Sequence, residues 1–326
     1  MLVWTAAFVG MVSFAAPDAQ PAVEQAPAPD AVVVDADHVA ELIAWLTGPP
    51  DAVDEETARE RAAGMAAFEA SLPWQQGTVT VSEIATLELG PTDRFLGPDA
   101  TAQVLEAWGN PPGQVHGGML FPQGAHVFGA NSWGVIVGYE DMGWVDDADA
   151  ATIDYDELLS DLKAQNAESV EARRESGLVG LTLKGWAETP HYDASRKVLY
   201  WARELVSDDG GQTLNYEVRV LGRGGVLSLN AVGGMDQLAT IRAGMEPVRA
   251  SAAFIAGQTY ADYEPGVDPS AGVGIAALVA GGALASKAGL FKGLLAALLA
   301  GKKLVIAGVV GMLAIAGKFF SGSGKE

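Results

Sequence analysis

Residues 181–232 read LTLKGWAETPHYDASRKVLYWARELVSDDGGQTLNYEVRVLGRGGVLSLNAV. Four apolar, β-branched or aromatic runs alternate here with turn residues: Leu181 to Ala187, Lys197 to Val206, Thr213 to Leu221 and Val226 to Val232. Period-two runs of this length read as strands. Asp208-Asp209-Gly210-Gly211 and Gly222-Arg223-Gly224-Gly225 supply the positive-φ residues that tight hairpins need, so the strands should pair antiparallel. Thr189-Pro190 reads as a turn between the first two.

Working outward, Asp236 to about Ala250 predicts a helix closing the set. Upstream, Asp154 with Glu157 forms a capping-box-like start for a long helix to about Ser176. Met119-Leu120-Phe121 and Val135-Ile136-Val137 read as buried strands. Thr78 to Val81 and Ala85 to Leu89 read as a hairpin or a pair of short strands, and Pro98-Asp99 opens a helix, capped by Asp99, that stops at Trp108 before Gly109. Nearer the N-terminus, Asp37 to Trp45 places Val39, Leu42, Ile43 and Leu46 on one face and ends at Gly48-Pro49-Pro50. Asp54 to Leu72, rich in Ala, Glu and Arg, reads as a second helix. The expected fold class is α+β, one curved antiparallel sheet packed by helices. The expected division is a helical segment over 35–72 and an α+β domain over 73–268.

The two ends have a different character. Leu2 to Ala16 is a short apolar run with small residues at Ser13 and Ala15, which predicts a signal peptide over 1–15, although the run has no Lys or Arg before it. An uncleaved N-terminal anchor or a mis-set start codon is the alternative. Residues 16–34 are rich in Pro, Ala and acids and read as a disordered linker. From Val273 onward the chain is almost wholly apolar, with six lysines and one acid, Glu326. The whole chain has 41 acidic and 20 basic residues, so 40 acids and 14 bases precede Val273, near −26 in front against near +5 in the tail. That division predicts a C-terminal membrane anchor over 273–320, one or two helices, whose lysines meet phosphate headgroups or a cytoplasmic face.

Val273 to Ala285 and Leu304 to Gly317 are each shorter than the roughly 20 residues a straight span needs. A hairpin turning near Lys302, or one span over Leu304 to Phe320 after an interfacial helix, satisfies the lengths. A soluble buried hairpin is the alternative. Small residues at Gly281, Ala285, Gly289 and Gly293 recur every fourth position, a spacing compatible with a homo-oligomer through the tail.

Composition also excludes functions. With no cysteine, there are no disulfides, thiolate nucleophiles or Cys-type metal sites. Scattered Lys and Arg among many carboxylates argue against nucleic acid as a partner. The four histidines, His38, His116, His126 and His191, fall in no HExxH or comparable spacing. Glu188, His191 and Asp193, with Tyr192 between, are the nearest approach to an acid–base site and carry the alternative of a hydrolase or transferase. A polar, solvated turn is the simpler account of them. The dense acids Asp146, Asp147, Asp149, Asp154 and Asp156 fail as an EF-hand, because Thr152 stands where Gly is required and Leu158 where Glu is required. Helix capping explains them instead. Gly222 to Gly225 joins two strands, the wrong context for a phosphate loop, and Ser132 and Ser228 lack nucleophile-elbow surroundings. Trp108, Trp133, Trp144, Trp186 and Trp201 could line a groove, but Trp133, Trp186 and Trp201 sit in or beside apolar strands and read as core. No catalytic residue, metal ligand or cofactor-binding residue is therefore assigned from sequence, and no cofactor is expected.

As a whole, Gly77 to Asp268 resembles a bacterial family of membrane-anchored proteins with a domain of unknown function. The resemblance rests on Glu106 to Pro112, Gly118 to Pro122, Ser132 to Val135, Asp154 to Leu159, Gly185-Trp186-Ala187 with Pro190 to Asp193, Leu229 to Val232, and Lys287 to Phe291 before an apolar stretch. The Gln114-Val115-His116 loop and the N-terminal extension depart from it. The resemblance implies no catalytic residues. The expected function is non-catalytic: an exported acidic domain held at the cell inner membrane, with the lipid bilayer and another envelope protein as partners.

Overall fold

The computed structural model of the chain describes residues 35–48, 52–108, 110, 117–175, 177 and 179–281. The signal-like run, the linker, His116 and the tail beyond Gly281 lie outside the described residues. Contacts divide the chain into two units, one ending at Trp74 and including Gly124–Trp133, the other made of Gln75–Gln123 and the residues from Gly134 onward.

In the first unit, α1 (Ala36–Thr47) starts where the Asp35 side chain accepts from the backbone N–H groups of Asp37 and His38. The second helix, α2 (Glu55–Ser71), starts at Asp54, which accepts from Thr57 N at 3.0 Å. These caps satisfy N–H groups that the first turn leaves unpaired. Ala58, Ala62 and Ala66 recur every fourth residue along the buried side of α2, and small side chains there let α1 approach closely. Leu42, Ala62 and Ala66 form the core, with Val39, Ile43, Leu46, Met65 and Phe128 packed against it. The predicted apolar face of α1 is thus present, but it also buries His38.

The second unit runs β1 (Thr78–Val81), β2 (Ala85–Glu88), β3 (Arg94–Leu96), α3 (Pro98–Ala107), β4 (Gly118–Phe121), β5 (Gly134–Glu140), β6 (Trp144–Asp146), α4 (Tyr155–Glu175), β7 (Leu181–Asp193), β8 (Val198–Ser207), β9 (Gln212–Leu221), β10 (Val226–Gly234), α5 (Leu238–Ser251), β11 (Ala252–Phe254), β12 (Ser270–Gly274) and α6 (Ile275–Ala280). Seven strands form an antiparallel sheet in the order β3-β4-β5-β10-β9-β8-β7. The α+β class and the antiparallel pairing of β7 to β10 are as expected. The single sheet is not: β1-β2-β11 form a second sheet, and β12 pairs with β6 in parallel.

Other boundaries need correction. The strand expected to end at Ala187 continues to Asp193, so Thr189-Pro190 is not a turn. Pro190 is tolerated because β7 is the sheet edge and its pairing with β8 shifts register on both sides of Glu188. The N-cap of α3 is Gly97, with Pro98 at the first helical position and Asp99 inside the first turn.

Of the expected membrane anchor, residues 273–281 are described. Val273 lies in β12, and the α6 side chains Ile275, Leu278 and Val279 are wholly buried with Val145, Leu199, Trp201, Leu221 and Val226. Ile275, Leu278 and Val279 thus pack on protein, while Val273, Ala276, Ala277 and Ala280 are partly exposed. Among the described residues no helix is long and apolar enough to cross a membrane.

Candidate functional site

Glu188, His191 and Asp193 stand along β7, opposite Ala202, Tyr200 and Val198 of β8. The structure does not assemble them. Glu188 Oε2 accepts from Arg242 Nε of α5 at 2.8 Å. The Asp193 carboxylate accepts from the Ser195 hydroxyl at 2.6 Å and from the backbone N–H of Ser195 and Arg196. The Ser195 hydroxyl bond is the main cause holding the Asp193 carboxyl below its ordinary value. His191 is exposed, its ring 5.1 Å from that of Tyr200. Both carboxylates are engaged elsewhere, and among the described residues no hydrogen bond joins the His191 imidazole to either of them.

The acid-dense stretch is explained residue by residue. Asp146 accepts from Ala148 N, and Asp154 caps α4 through the N–H groups of Asp156 and Glu157. Asp149 Oδ1 and Oδ2 accept from Ile275 N at 2.9 Å and Ala276 N at 3.1 Å, capping α6 from far away in the chain. Asp147 receives Lys197 Nζ and Tyr192 Oη, each at 2.6 Å, and Tyr260 Oη at 3.1 Å. Burial alone would push the Asp147 carboxyl up, but these three donors and the Lys197 charge hold it below its ordinary value. Burial and the same carboxylate push the Tyr192 and Tyr260 hydroxyls well up.

Four of the five tryptophans are engaged individually. Trp133 and Trp201 are buried, Trp186 donates Nε1 to Tyr155 O at 3.1 Å, and Trp144 stacks on Tyr263 with centroids 4.3 Å apart. Ser132 Oγ donates to Val127 O at 2.8 Å, a loop tie rather than a nucleophile.

A different cluster lies inside the first unit. His38 and Glu41 stand one turn apart on α1, Glu69 lies near the end of α2, and His126 sits in the segment Gly124–Trp133. That segment is shaped by His126 N donating to Asn131 O at 3.1 Å and Ser132 N to Gly129 O at 3.1 Å. Glu69 is almost fully buried; its Oε1 lies 3.0 Å from His126 Nδ1 and its Oε2 accepts from Val127 N at 3.0 Å. In the tautomer with its N–H on Nδ1, His126 would donate to Glu69 Oε1 and leave the Nε2 lone pair free. The His38 ring stacks on that of His126, centroids 3.8 Å apart and planes 13° from parallel.

His38 is only 7% exposed. Its Nε2 comes within 3.4 Å of Glu69 Oε2, yet neither ring nitrogen makes a hydrogen bond among the described residues. The contact is close enough for Coulomb attraction but lacks bonding geometry, so the imidazole counts as unsatisfied. Burial, then the neighbouring His126, pushes the His38 imidazole below its ordinary value; Glu69, Glu41 and Asp35 only partly offset this. Burial therefore favours the neutral ring. One ligand atom from each of His38, Glu41 and His126 can be chosen so that all lie within 4.8 Å of one another. These residues border a cleft of about 250 Å³, also lined by Trp45, Phe128 and Asn131. Sequence spacing hid the group, because only His38 and Glu41 are close in the chain.

The sequence model of a family described as "Protein of unknown function (DUF2167)" matches residues 74–319, well over half of the chain. The chain belongs to the DUF2167 family. The resemblance to a family with a domain of unknown function is to that extent confirmed. The DUF2167 match takes in His126 but begins after α1 and α2, so His38, Glu41 and Glu69 lie outside it. No curated protein matches the chain. Among solved structures, the solution structure of cyanobacterial PsbP (CyanoP) from Synechocystis sp. PCC 6803 is similar at 9% identity and TM-score 0.33, covering 56% of this chain and 92% of that one. The crystal structure of LpqN, involved in cell envelope biogenesis of Mycobacterium tuberculosis, is similar at 12% identity and TM-score 0.28, covering 58% and 96%. At those scores neither bears on the function of the DUF2167 chain.

Proposed function

We propose that the chain is a non-catalytic binding protein of the cell envelope, its acidic α+β domain exported and held at the inner membrane by the residues after α6. The observation that carries this reading is the charge division, a strongly acidic front part against an apolar, lysine-bearing tail. The hydrolase or transferase reading has no such support, because Glu188 is paired with Arg242, Asp193 is held by Ser195, and His191 lies beside the Tyr200 ring.

Alkaline phosphatase fused after residue 281 should be active in cells, and the full chain should stay in the pellet after a carbonate wash. A cytoplasmic fusion, or full-length protein in the supernatant, overturns the proposal. His191→Ala should leave function intact; its loss with an unchanged melting temperature would favour the enzyme. Crosslinking with and without residues 282–326 tests whether the tail also drives self-association.

A further inference from the structure

We propose that His38, Glu41 and His126 form a site for a divalent transition cation of the zinc type, with Glu69 as the buried carboxylate that orients His126. The inference is independent of the envelope reading, since it rests only on the first unit.

His38 supplies the central observation. A buried imidazole with two unsatisfied nitrogens loses its hydration and gains no hydrogen bond in return. Folded proteins rarely leave such a group without a purpose, and a bound cation would satisfy it.

His126 supplies the second. Ligating histidines commonly give their other ring N–H to a carboxylate, which fixes the tautomer and raises the basicity of the ligating nitrogen. Glu69 stands in that relation to His126 Nδ1 at 3.0 Å, which leaves Nε2 for the cation. Glu69 is in turn fixed by Val127 N at 3.0 Å, and its own backbone oxygen accepts from Trp74 Nε1 at 2.9 Å. The carboxylate is thus held from more than one side.

Glu41 completes the donor set from one turn along α1, on the same side as His38. Its side chain is exposed and can swing. Donors around a tetrahedral zinc lie about 3.3 Å apart, given bonds of roughly 2.0–2.1 Å. The donors here lie within 4.8 Å, so closure needs movement of about 1 Å or more. The stacked rings must also splay, because parallel imidazoles do not aim their lone pairs at one point. His126, with 23% of its side chain exposed, has room to turn.

Two imidazoles and one carboxylate favour zinc and its neighbours over magnesium or calcium, which take oxygen donors. Three protein ligands leave a coordination position facing the cleft bordered by Trp45, Phe128 and Asn131. Water or a small anionic ligand fits that position.

The test uses the purified full chain and titrates it with Zn2+ by calorimetry and with Co2+ by visible absorption. The expected result is one Zn2+ per chain and Co2+ d–d bands of four-coordinate intensity, with Mg2+ giving no heat. His126→Ala should weaken Zn2+ binding at least roughly 100-fold, and Glu41→Gln roughly 10-fold. His191→Ala should bind as the parent does. Glu41 is exposed, so its variant should keep the parent melting temperature and decides the matter if His126→Ala fails to fold. Absence of Zn2+ binding at micromolar metal, equal binding of Mg2+, or Zn2+ binding unaltered by Glu41→Gln overturns the proposal.

Discussion

Replacing Asp149 with Ala removes the only side chain among the described residues seen to cap α6. Two backbone donors, Ile275 N and Ala276 N, lose a carboxylate partner at 2.9 and 3.1 Å. A single cap contributes about 1 kcal/mol, up to about 2, and hydrogen bonds to a charged group somewhat more. Two donors at a half-buried helix start therefore amount to about 2–3 kcal/mol. Six residues cannot hold a helix by themselves, so α6 depends on this cap and on docking. Gly274 offers an independent route to the same loss, since a Cβ there would stand 2.5 Å from Asp149 Oδ2 and displace the carboxylate. Urea unfolding followed by tryptophan fluorescence should show each of Asp149→Ala and Gly274→Ala losing about 2–3 kcal/mol with little change in slope, and the double variant losing no more than the larger single loss. If Asp149→Ala costs less than about 0.5 kcal/mol, or the two losses add, the cap is not what holds α6.

Three further outcomes follow from other parts of the fold. The Asp147 carboxyl is held below its ordinary value when folded, so its contribution is present above the unfolded value near ~3.9 and is lost as pH falls through the folded one; urea midpoints at pH 7, 4 and 2.5 should fall less steeply for Asp147→Asn than for the parent. Gly225→Ala should destabilise by about 3 kcal/mol in the same assay, because its Cβ would overlap the backbone oxygen of Glu140 and neither backbone can yield cheaply. Glu83 holds φ 58° in the β1–β2 turn, so Glu83→Gly should raise the melting midpoint, by about 0.5–1 kcal/mol of stability.

What was legible in the sequence follows from how local each signal is. The strands β8, β9 and β10 carry their own alternation and their own glycine turns, and helices α1, α2 and α4 carry their own caps, at Asp35, Asp54 and Asp154. Strands β3, β6, β11 and β12 are three to five residues long and exist only through pairing with distant chain, so no window of sequence reveals them. Pro190 misled for a related reason: it forbids a central strand but not an edge strand, and edge position is a tertiary fact. The apolar run from Val273 looked like the start of a span because burial in protein and burial in lipid select the same side chains. The histidine cluster was illegible because Glu69 and His126 are 57 positions apart, and His38 by itself looks like any helix residue.

The parallel pairing of β6 with β12 has a consequence for the order in which the molecule is made. Residues 144–146 wait for a partner that leaves the ribosome well over a hundred residues later, and Trp201 and Leu221 wait with them for Ile275, Leu278 and Val279. During synthesis that side of the sheet stays open to chaperones, and a chain cut short at Asp268 would keep a greasy wound where α6 belongs.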